Sequence, residues 1–73
     1  MKKIDMHGIR HVNVADALAK ACSSYETPFM VVTGRSILMK SMVAEAVTPF
    51  GLRVRDHITN PGRVIVYDGS SNI

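Results

Sequence analysis

The spacing of hydrophobic positions changes repeatedly along the chain, and each change marks an element. Lys3 to His7 alternates, with Ile4 and Met6 pointing one way and Lys3, Asp5 and His7 the other. That period of two predicts a short strand ending at Gly8. From Asn13 the period lengthens. Val14, Ala17, Leu18 and Ala21 form one helical stripe, with Asn13 as N-cap and Asp16 in the dipole-favoured first turn. The helix fades near Ser23, Ser24 and Glu26, and Pro28 cannot continue it. Phe29-Met30-Val31-Val32-Thr33 is an unbroken apolar run between Pro28 and Gly34, which predicts a central strand buried on both faces.

Gly34-Arg35-Ser36 is a tight turn into a second helix, Ile37 to Thr48, with Met39, Met42, Val43 and Ala46 as its apolar stripe. Pro49 and Gly51 stop it. Leu52 to Ile58 alternates again, with Leu52, Val54 and Ile58 on one side and Arg53, Arg55 and His57 on the other. Asn60-Pro61-Gly62 is a turn, and Arg63 to Tyr67 completes a hairpin. The order β-α-β-α-β-β predicts an α/β two-layer sandwich. Its mixed sheet has right-handed crossovers and two helices mainly on one face. The other face then carries Lys3, Asp5, His7, Arg53, Arg55 and His57. One domain spans residues 1–73, with its core at about 3–68 and a frayed tail at 69–73.

Composition narrows the classes. A chain of 73 residues is one domain at most and buries roughly 60% of its unfolded surface. Apolar residues make up 47% and aromatics only 5%, so the core is aliphatic and the composition argues against simple disorder. A lone cysteine, Cys22, excludes an intrachain disulfide framework and fits a reduced, cytoplasmic setting as a small core residue. No apolar run approaches the roughly 18 residues of a membrane helix, and Asp5 stands where a signal peptide needs apolar residues. The expectation is a cytoplasmic protein with no membrane partner. Nine Lys and Arg against six Asp and Glu leave a charge of +3, which suits a polyanionic partner.

Candidate chemistry gathers where the first two strands end. If those strands are parallel, Asp5-Met6-His7-Gly8 and Thr33-Gly34-Arg35-Ser36 meet at one edge of the sheet. Amides at the start of the second helix favour a phosphate, with Thr33, Gly34, Arg35, Ser36 and Lys40 as its ligands. Against this stands the plain reading of a strand-to-helix turn. His7 is the candidate for the proton exchange that phosphodiester cleavage requires, since histidine is the side chain suited to it; against this stands a strand-end histidine hydrogen-bonded to a neighbouring turn, the reading that spacing alone favours. Asp5 has three roles open to it: orienting the imidazole, holding a metal ion, or pairing with Lys3. Lys3, Arg10, Arg53, Arg55 and His57 are candidates for tracking a nucleic-acid backbone; the alternative is a solvated face. Interleaved aromatics are absent and only Tyr67 lies nearby, which favours backbone or shape recognition over base reading. His7, His11, Cys22 and His57 match no zinc-ligand spacing.

Ile4-Asp5-Met6-His7-Gly8-Ile9 before a helix resembles the Asp-x-His-Gly opening of the Smr (small MutS-related) domain. Thr33-Gly34-Arg35-Ser36 occupies the place of that family's second motif, His-Gly-x-Gly or Thr-Gly-x-Gly, at the end of the next strand. The likeness spans about Lys3 to Asp68. It implies a fold similar to the C-terminal domain of bacterial translation initiation factor three. It also implies nucleic-acid binding and, in many members, endonuclease (hydrolase) activity on DNA or RNA. Asp5 and His7 match the first motif; Thr33, Gly34 and Arg35 match the second. Ser36 departs from the usual glycine, either narrowing the approach of a phosphate or capping the second helix, and the loop after the motif is short.

The expectation is a small nucleic-acid-binding domain acting as a nuclease. His7 is its acid or base, Asp5 its helper, and RNA is slightly preferred over DNA. On RNA the 2′-hydroxyl supplies the nucleophile and no cofactor is needed; on DNA water must attack and a divalent metal is called for. A non-catalytic RNA- or DNA-binding module and a small regulatory protein-interaction domain are the alternatives.

Overall fold

The computed structural model describes residues 1–69, so the expected frayed tail lies outside the described residues except for Gly69. The elements are β1 (Lys3–Asp5), α1 (Val14–Ser24), β2 (Phe29–Val32), α2 (Ile37–Val47), β3 (Leu52–Asp56) and β4 (Arg63–Asp68). The sheet runs β1-β2-β4-β3. β1 and β2 are parallel, whereas β4 is antiparallel to both β2 and β3. The fold is thus an α/β two-layer sandwich with a mixed sheet. Two antiparallel steps through β4 also make β3 point the same way as β1 and β2.

Both helices pack against each other and over one sheet face. Val14, Leu18 and Ala21 of α1 and Met39, Val43 and Val47 of α2 meet Phe29, Val31, Val64 and Val66 of the sheet. The predicted α2 stripe is rotated slightly: Val47 is buried, and Met42 and Ala46 lie at the border of the core. Phe29 is fully buried, with Tyr25 edge-on at 5.8 Å. Met6 is also fully buried, and its N–H bonds to Val32 O at 2.8 Å, carrying the β1–β2 ladder one residue past the strand. Cys22 packs at the margin of the core, where burial pushes its thiol above the ordinary value.

Several expectations need correction. β2 is buried on one face only. Phe29 and Val31 face the helices, whereas Met30 and Val32 are half-buried on the uncovered side. With two short crossovers and a hairpin, no helix or strand among the described residues covers that side. α1 is entered through a 3-10 turn at His11–Asn13, and the Asn13 side chain makes no cap bond. Asn13 already has helical dihedrals (φ −96°, ψ −5°), and the turn carries the chain into the helix. Ile58 does not continue the β3 pattern. The strand ends at Asp56, and Ile58 is 89% exposed in the β3–β4 turn.

Candidate functional site

The parallel direction of β1, β2 and β3 brings three loops to one edge of the sheet: residues 6–13, 33–36 and 57–62. Gly34 is the middle of this corner. Its φ of +66° is left-handed, and the His7 ring occupies the space beside it, with Cδ2 3.2 Å from where a Cβ would sit. On the other side, Gly62 approaches the Gly34 backbone, with Gly34 Cα and C 3.6 Å from where its own Cβ would sit. Thr33 N donates to Gly62 O at 2.9 Å. The row His7–Gly34–Gly62 therefore closes without a gap. The room beside Gly34 that an anion was expected to use is filled by the imidazole.

Each loop is held by its own polar side chain. Asp5 Oδ1 accepts the His7 N–H at 2.9 Å, an Asx-type turn that swings the exposed His7 away from the strand. Asp5 thus positions His7 through the backbone, which is none of the three roles left open for it. Ser36 Oγ accepts the Met39 N–H at 3.0 Å, so Ser36 is the N-cap of α2, the second of its two expected roles. In the third loop His57 Nδ1 accepts the N–H groups of Thr59 and Asn60 at 3.2 and 3.1 Å, and Asn60 Oδ1 accepts the Gly62 N–H at 2.9 Å. An accepting Nδ1 leaves the proton of the neutral ring on Nε2.

Of the expected phosphate ligands, Gly34, Arg35 and Ser36 stand at the corner, and Arg35 is exposed. Thr33 is a correction. It is buried, and the single proton of its hydroxyl is shared between Gly34 O at 2.8 Å and Gly62 O at 3.3 Å, so it staples two loops together. Lys40 is another. α2 crosses above β3, and Lys40 Nζ lies 3.6 Å from Asp56 Oδ1. Asp5 and Asp56 both have partners at this edge, where His7, Arg10, His11 and Arg35 are exposed basic side chains. Four exposed aliphatic residues share the edge: Val12 (80%), Ile37 (81%), Leu38 (56%) and Ile58.

Lys3, Arg53 and Arg55 lie on the uncovered face, as the alternation predicts. His57 closes the β3 end of that face, since its N–H bonds to Arg63 O at 3.1 Å. Sequence reasoning missed Asn60, Gly62 and Arg63. The signal existed: a hairpin whose last strand inserts beside β2 carries its turn to the same edge as His7.

Among the described residues no group of three or more His, Cys, Asp or Glu side chains converges on a point that could hold a metal ion. A hollow of about 550 Å³ lined by Lys2, Tyr25 and Pro28 sits at the other end of the sheet, with Lys2 Nζ 5.8 Å from the Tyr25 ring centroid. No helix among the described residues is long and apolar enough to cross a membrane. Comparison with protein-family models, curated proteins and solved structures found no match.

Proposed function

We propose that this protein binds nucleic acid at the carboxyl edge of its sheet and cleaves RNA there. The observation that carries the reading is the packing of the exposed His7 ring against Gly34, at the start of α2. First-turn amides have no intrahelical partners, and Ser36 Oγ serves only that of Met39. The neighbouring amides and the Arg35 fork suit a phosphate oxygen, which sets the phosphorus beside the imidazole. The 2′-oxygen attacks phosphorus, the bond to the 5′-oxygen breaks, and a cyclic phosphate and a 5′-hydroxyl result. His7 takes the proton of the attacking hydroxyl or supplies one to the leaving oxygen, and water carries the other proton. The two motifs that resemble the Smr domain fall on this same corner.

One observation favours a second reading, a binding module without catalysis. The carboxylate nearest His7 is committed to a backbone N–H and does not orient the ring. Incubating the protein with labelled RNA and DNA, with and without chelator, decides between them. The first reading expects RNA cleavage that survives chelation and is lost in His7→Ala while binding persists. Binding without cleavage of either substrate leaves the module, and binding to neither overturns both.

A further inference from the structure

Resting on the nucleic-acid reading above, we infer that the uncovered sheet face binds unpaired nucleotides, holding bases as well as phosphates. Strand register places three rows of side chains on this face. Arg53 stands beside Tyr67. Arg55, Ile65, Met30 and Lys3 cross the whole sheet, and Arg63, Val32 and Asp5 lie nearest the His7 corner. The middle of the face is therefore apolar, with Met30, Val32 and Tyr67 half-buried and Ile65 only 7% exposed between them, and cations flank it on both edge strands. Lys3 and Arg55 are three strand spacings apart, about 14 Å.

Charge decides the kind of occupant. Four cations, Lys3, Arg53, Arg55 and Arg63, share strand positions with a single carboxylate, Asp5, which accepts the His7 N–H. A polyanion matches that imbalance. The apolar stripe decides its form. Aliphatic and thioether side chains gain nothing from phosphates, and a continuous duplex hides its base faces in the stack. Among nucleic acids, unpaired nucleotides offer charge along one side and an apolar face on the other. The arginines are already arranged over soft groups. The Arg55 guanidinium lies 5.9 Å from the Tyr67 ring centroid, and Arg63 Nη1 donates to Met30 Sδ at 3.6 Å. Planar guanidiniums held this way stack on bases as well as pairing with phosphates. The row Arg63–Val32–Asp5 runs into the loops of Gly62, Gly34 and His7, so a strand laid on the face leads to the proposed cleavage corner. This extends the expectation of backbone tracking, which lacked Arg63 and the apolar middle.

The test measures the affinity of the full chain for a labelled single-stranded oligonucleotide and for its duplex at one salt concentration, using RNA and DNA versions of each. The single strand is expected to bind about tenfold or more tighter, in keeping with stacking on one or two bases. Lys3→Gln/Arg55→Gln weakens it, and Tyr67→Leu lowers the ratio of single-strand to duplex affinity. In NMR spectra, Met30, Ile65 and Tyr67 signals shift with the single strand. Equal or stronger binding of duplex, or shifts confined to the carboxyl edge, overturns the inference and leaves the proposed function standing. A dimer that covers this face also overturns it. Binding to no nucleic acid removes both.

Discussion

At the residue scale, Gly34 explains most of the corner. Only glycine takes its left-handed conformation without strain, and a Cβ there presses on the His7 ring. Gly34→Ala is expected to cost about 1–2 kcal/mol in chemical denaturation, and to shift the His7 ring signals in the NMR spectrum. Ser36 makes a separate contribution. Ser36→Ala removes the cap of α2 and is expected to lower stability by about 1 kcal/mol, whereas Ser36→Asp keeps it near wild type. These residues were half legible in the sequence. The glycine and the cap announce a strand-to-helix turn. That the imidazole fills the space beside the glycine depends on loop packing, which no local pattern encodes. The backbone contact of Asp5 was not legible for a related reason: a carboxylate two residues before a histidine is as well placed for the backbone N–H as for the ring.

At the element scale, burial separates residues that look alike in composition. Phe29 is fully buried between the sheet and both helices, and Phe29→Ala is expected to cost about 3–5 kcal/mol. That is close to the whole stability a domain of this size commands, so the variant is expected to be unfolded by circular dichroism. Ile37→Ser and Ile58→Ser at the exposed edge are expected to change stability by no more than about 0.5 kcal/mol. The alternation that placed Arg53 and Arg55 correctly also assigned Ile58 to the core, because a period of two carries no mark of where the strand ends. The apolar run of β2 read as buried on both faces, since composition cannot distinguish a covered face from a half-exposed one in a sheet with helices on a single side. Cys22 adds a dependence on pH. Burial raises its pKa above that of the unfolded chain, so the native state holds the proton more tightly. Its contribution is complete below the range where the unfolded thiol ionises and is lost as pH rises through the folded value. Cys22→Ala is expected to flatten the alkaline decline in denaturation midpoint.

At the scale of the whole molecule, topology was the most legible feature. The order of strands and helices follows from changes of period and from Pro and Gly stops, and it predicts both the layering and the shared edge of β1 and β2. The third loop followed only once β4 was known to lie between β2 and β3. If the cations of the open face contact phosphates, log affinity for single strands falls linearly with log salt. Replacing Arg53 and Arg55 by Gln is expected to reduce that slope by about 0.7 per lost contact. A slope unchanged by the double variant places the phosphates elsewhere. The most direct test of the account is an NMR titration of the full chain with a short single-stranded RNA, following the His7 ring and the amides of Gly34 to Leu38. A shared phosphate predicts that both sets of signals move together along one binding curve. Movement of one set without the other, or of neither while RNA binds, contradicts it.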